Sequence, residues 1–148
     1  MTAAQDPDRR LLLLLDTHVL VWLFEGNRKL GPASRSAIQG SADEDGVLVS
    51  AITPWEIGLL VSKGRLQLGT DVMEWIRRVL AKPGVRRAPL EPEIAVACTR
   101  LPFEMHADPA DRILVATARH LGATLVTADG QLLELAKEGH FRGMDASS

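Results

Sequence analysis

Apolar residues follow two rhythms along this chain. Leu11–Leu15, Val47–Val49 and Thr124–Thr127 are short runs of strand length, as expected for strands covered on both faces. Longer stretches predict helices over Val19–Phe24, a polar segment from about 34 to 40, Pro54–Ser62, Asp71–Lys82, Pro92–Arg100, Pro109–Leu121 and Gln131–Lys137. Short strands alternating with helices imply βαβ units, hence an α/β fold with a mainly parallel sheet. Gly64, Gly69, Pro83 with Gly84, Pro89 and Gly122 stand where helix ends and turns need them. There is no internal repeat, low-complexity tract or interdomain linker.

Four acids stand beside these runs: Asp16 in LLLLLD, Glu56 in LVSAITPWEIGLL, Asp111 in DPADRILVATA and Asp129 in TLVTAD. In open parallel sheets, ligands sit beyond the carboxyl ends of the strands, where the following helices begin. Asp16 closes the first run, and Asp129 lies two residues past the last. Glu56 and Asp111 fall in the first turns of two predicted helices. All four are therefore expected at one edge of the sheet. Carboxylates gathered there either share a cation or suppress one another's ionisation.

Each acid also has a purely structural explanation. Thr53-Pro-Trp-Glu56 reads as a capping box with proline at the first helical position, and Asp108-Pro-Ala-Asp111 repeats the grammar with aspartates. Asp129-Gly130 suits an ordinary turn. Asp16 fits this alternative less well, because an unpaired carboxylate directly after five leucines costs several kcal/mol to bury. It could still cap the helix that follows.

Composition excludes more than it selects. The 148 residues carry 17 Lys plus Arg against 19 Asp plus Glu, a formal charge of −2; a polyanion would need a local basic surface. Residues 1 to about 10 are polar and are expected to be a flexible tail before a single domain over 11–148. The apolar run that follows is shorter than the roughly 7 to 15 residues of a signal-peptide core, and no stretch is long enough to span a bilayer. With a single cysteine, Cys98, which rules out an internal disulfide, a cytoplasmic protein is expected.

Taken together, Asp16-Thr17-His18-Val19-Leu20 with Trp22, Ser50 through Ile57, His106 through Leu114, and Leu125-Val126-Thr127-Ala128-Asp129 resemble the PIN-domain ribonucleases. Within that family they look like the VapC toxins of bacterial type II toxin–antitoxin pairs. The resemblance runs from about Leu11 to Asp129 and keeps the motif order; no one motif is specific, but four in order are. It implies a three-layer α/β/α fold and a Mg2+ (or Mn2+)-dependent endoribonuclease that hydrolyses RNA with a metal-activated water. Asp16, Glu56, Asp111 and Asp129 are its implied catalytic acids, with Asp16 and Asp111 as direct metal ligands. Thr127, Asp108 and Arg112 are candidates for orienting those acids or touching RNA, Asp108 being favoured as a helix cap. His18 stands where many relatives carry Asn. The implied partners are RNA, a cognate antitoxin and a second copy of the chain in a homodimer.

Other chemistries find less support. The histidines His18, His106, His120 and His140 lack HExxH or paired zinc spacing, so surface or core roles are expected of them. No GxSxG is present. A phosphoryl-transfer fold using Asp16 as nucleophile would want an acid where His18 stands. Further readings are a stand-alone PIN nuclease and a catalytically silent PIN-like module that binds protein. The basic groups Arg28-Lys29, Lys63 with Arg65, Arg77-Arg78 with Lys82, Arg86-Arg87 and Arg112 are candidate RNA rims, each equally at home on a solvated face. Trp22, Trp55 and Trp75 are expected in the core or in an apolar groove.

Overall fold

The computed structural model describes residues 11–148; the flexible tail expected over residues 1 to about 10 lies outside them. The order is β1 (Leu13–Leu15), α1 (Thr17–Glu25), α2 (Pro32–Ala42), β2 (Val47–Ser50), α3 (Thr53–Ser62), α4 (Val72–Leu80), β3 (Val85–Ala88), α5 (Pro92–Ala97), α6 (Pro109–Leu121), β4 (Thr124–Thr127), α7 (Gly130–Lys137) and β5 (Arg142–Asp145). The five strands form one sheet in the order β3-β2-β1-β4-β5, and every neighbouring pair is parallel.

The leucine run explains the layering. Successive strand side chains point to opposite faces. Leu13 and Leu15 enter one core with Val47, Val49, Val126 and helix residues such as Val19, Leu20 and Ile57. Leu14 enters the other with Leu48, Leu125, Leu114 and Leu132. A run buried on both sides must be apolar at every position, and β1 is fully buried throughout. The result is three layers: α/β/α.

Strand order then creates the address for a site. The chain moves outward from β1 through β2 to β3, then returns to lay β4 against the other side of β1. The crevice beyond the carboxyl ends of β1 and β4 is thus the topological switch point, where such sheets bind ligands. Asp16 caps α1 at the end of β1, and Asp129 caps α7 after β4. Among the described residues, no helix is long and apolar enough to cross a membrane.

Candidate functional site

Asp16, Glu56, Asp108, Asp111 and Asp129 line one cavity of about 370 Å³, together with His18, Trp22 and Ala128. The four acids singled out in the sequence therefore share one pocket, and Asp108 joins them. A larger concavity, about 590 Å³ between α7 and β5, holds no comparable gathering of acids.

Asp16 is the anchored member. It is 9% exposed; its Oδ1 accepts from the Thr17 amide at 2.7 Å and its Oδ2 from the Thr127 hydroxyl at 2.6 Å. Thr127 is itself fully buried, and its Oγ1 also accepts from the Asp129 amide at 3.1 Å. One hydroxyl thus ties the end of β4 to the acid ending β1. Burial pushes the Asp16 carboxyl above its ordinary value, and the bonds from Thr127 and Thr17 oppose that.

Glu56 enters from α3, where the expected capping box is not formed. The helix cap is Ile52, whose amide donates to the Ser50 hydroxyl at 3.1 Å, and no side chain caps the end. That serine-held turn winds the chain into helix one residue earlier than Thr53-Pro54 suggests. Thr53 is consequently inside the helix, with a buried hydroxyl that has no hydrogen-bond partner among the described residues. Glu56 is released from capping and accepts from the Thr17 hydroxyl on α1. Burial, and then the charges of Asp16 and Asp108, push its carboxyl up.

The Asp108-Pro-Ala-Asp111 grammar does form a cap, with Asp108 Oδ1 accepting from the Asp111 amide at 3.1 Å. Asp111 itself faces the pocket. Burial and the charges of Asp16, Asp108, Asp129 and Glu56 raise its carboxyl to about 7. His106 Nε2 lies 3.3 Å from its Oδ2. Asp129 combines both readings, since its Oδ1 accepts from the Gln131 and Leu132 amides at 2.8 and 3.1 Å while the residue lines the cavity.

Arg112, a candidate for touching RNA, turns elsewhere. Its guanidinium donates to the carbonyls of Cys98, Met105 and His106 at 2.8, 3.2 and 3.4 Å, fastening the loop that leads into α6. Neighbours on a helix diverge by about 100°, so adjacency to Asp111 in sequence does not bring the cation to the pocket. Among the described residues, no lysine or arginine forms a salt bridge with any of the five acids.

The five acids offer oxygen donors, which suit Mg2+ or Mn2+, and His18 is the one imidazole among the described residues that line the pocket. Among the described residues, no group of three or more His, Cys, Asp or Glu side chains forms a ready-made ligand cage. Mg2+ keeps several waters and is commonly held by one or two carboxylates plus phosphate oxygens. Thr17, His106 and Trp22 stand in the sequence motifs, but their places beside the acids were not expected from it; Thr17 left the clearest signal, as a hydroxyl directly after a buried acid.

Residues 13–138 match the family model of the PIN domain. The chain belongs to the PIN domain family. This PIN domain is 36% identical over 120 residues to Ribonuclease VapC22 of Mycobacterium tuberculosis, covering 81% of this chain and 88% of that protein. Its fold matches that of VapBC2 from Rickettsia felis bound to a DNA fragment from their promoter, with a TM-score of 0.67 at 14% identity, over 90% of this chain and 98% of that one. FitAcB from Neisseria gonorrhoeae gives a TM-score of 0.60 at 22% identity, over 91% and 98%. At these identities the structural likeness of PIN domains speaks for the fold alone.

Proposed function

We propose that the chain is a divalent-metal-dependent endoribonuclease, the toxin of a type II toxin–antitoxin pair that works in the cytoplasm. The observation that carries the chemistry is the pocket of five carboxylates with, among the described residues, no lysine or arginine paired to them. Such a cluster is electrostatically incomplete without a cation. The 36% identity to a protein named as a ribonuclease supports RNA as the substrate, and the fold shared with a toxin–antitoxin complex from Klebsiella pneumoniae, at a TM-score of 0.54 and 21% identity, supports an antitoxin partner.

In this reading Asp16 and Asp111 hold Mg2+ or Mn2+. When bound, the ion supplies positive charge that lowers the pKa of water and offsets charge on the phosphoryl oxygens. Thr127 and the Thr17 amide keep both Asp16 oxygens aimed, so little reorganisation is needed at the moment of reaction. Thr17 does the same for Glu56. Glu56 and Asp129 orient the attacking water against the phosphorus, with Asp129 held in place by the α7 amides.

The test is cleavage of single-stranded RNA by the purified chain. Cleavage is expected with Mg2+ or Mn2+, is expected to stop in EDTA, and Asp16→Asn is expected to lower kcat at least ~100-fold while remaining folded. Undiminished cutting in EDTA overturns the metal mechanism. No cutting of any RNA favours the catalytically silent, protein-binding alternative.

A further inference from the structure

An acidic pocket that must take a polyanion needs affinity from something other than its own charge. Trp22 is placed to provide it. The core-facing positions of α1 are Val19, Leu20 and Val21, all buried, whereas Trp22 is only partly buried and lines the acid pocket. It stands six residues after Asp16, about 9 Å along the helix axis, within reach of a nucleotide neighbouring one bound at Asp16. One side of the indole packs against the core that holds Leu13 and Val19, and the rest of it is open to the acid pocket.

The ring's surroundings point the same way. Lys29 Nζ lies over the Trp22 ring, 5.9 Å from its centroid, close to the roughly 6 Å limit of a cation–π contact. A flexible, exposed lysine resting on an indole leaves a face that a planar group can take in its stead. His18, one helical turn back, has its ring 6.4 Å away at 53°, so it flanks Trp22 without stacking on it. Arg112 is committed to loop carbonyls, whereas Lys29 is placed beside the pocket through its contact with Trp22.

We propose that Trp22 is the stacking platform for the base of a nucleotide adjoining the scissile phosphate, with Lys29 moving off the ring to pair with that strand's backbone. The proposal rests on the nuclease reading above and adds a substrate-positioning subsite to it. Stacking on an aromatic ring serves any base, because every base has a π face. Trp22 thus contributes affinity and placement, while base identity is left to other contacts.

The test uses the full chain with Mg2+ and a random-sequence pool of labelled single-stranded RNA. Trp22→Leu is expected to raise KM about 5- to 100-fold with kcat largely retained. Trp22→Phe, which keeps a ring and guards against misfolding of the leucine variant, is expected to recover most of the loss. RNA is expected to quench an emission component that Trp22→Phe lacks and that Trp55→Phe retains. Lys29→Met is expected to reduce the slope of log affinity against log salt by about 1. An unchanged KM in Trp22→Leu, or a fall in kcat alone, overturns the platform and leaves the nuclease standing. If the unaltered chain neither cleaves nor binds the pool, the nuclease reading fails and the platform falls with it.

Discussion

Leu13, Leu14 and Leu15 of β1 are fully buried and feed alternate cores, while Arg86 and Arg87 of the edge strand β3 are exposed. Both strands pair in parallel with β2, through Leu13 with Val47 on one side and Arg86 with Leu48 on the other. The ladder is the same; what the side chains bury is not. At the centre, stability comes from apolar area and close packing. At the margin it comes from backbone pairing and a few tight backbone approaches. The acids gather beyond the carboxyl ends of the central strands β1 and β4. Hydrogen bonds from Thr17 and Thr127 fix Asp16 and Glu56 there, so carboxylates that repel one another are held together.

The largest break in this comparison is expected from deleting core volume at its middle. Leu14→Ala should destabilise the protein by about 3–5 kcal/mol, because the cavity lies under two neighbouring strands and cannot collapse. Arg86→Ala on the paired edge strand should change stability by no more than about 0.5 kcal/mol. Urea unfolding of both variants without divalent metal checks the contrast. Equal losses would show that the edge ladder carries more than its pairing.

The margin has its own weak point. Gly84 enters β3 at φ 87°, and a Cβ there would meet the Ala42 backbone carbon at 2.7 Å. Its carbonyl also accepts from the Val47 amide at 3.2 Å. Gly84→Ala therefore combines a disfavoured conformation with a backbone clash, and a loss of about 2–3 kcal/mol is expected. Thermal melts measure it. RNA cleavage at a temperature where the variant is folded should be unchanged, since the acids sit at the centre.

The same contrast explains what could be read from residues alone. β1, β2 and β4 were legible because two buried faces demand unbroken apolar runs. β3 and β5, Val85–Ala88 and Arg142–Asp145, were not, because edge strands with solvent on their side chains lose that signature. Arg86 and Arg87 looked like a basic rim for that reason. The acids were legible from their places after the runs and from the motif order. The Thr17 bond to Glu56 was not, since it joins two helices whose positions depend on packing, 39 residues apart. Thr53 misled because a serine-held turn moved the helix start by one residue, and Arg112 because a helix sends neighbours in different directions.

The smallest expected effect bears most directly on what the central acids cost. Asp111 titrates near 7 in the fold, from an ordinary value of 3.8. The sign follows: a carboxyl raised on folding stabilises the protein fully below its unfolded pKa, and that stability is lost as pH climbs through its folded one. Metal-free protein should therefore lose stability between about pH 4 and 7. Asp111→Asn should remove the Asp111 share of this slope, leaving the parts due to Asp16 and Glu56, and be more stable than the unaltered chain at pH 8, by about 1–3 kcal/mol, with the gap closing toward pH 4. At pH 8, Mg2+ or Mn2+ should raise the Tm of the unaltered chain and leave the variant's nearly unmoved, since a cation that binds the folded form alone stabilises it by mass action. Melts across pH, with and without metal, decide the matter. A variant less stable than its parent at every pH would mean that Asp111 is held by favourable contacts such as His106 rather than strained by its neighbours, and the pocket would then lose its electrostatic reason to seek a cation.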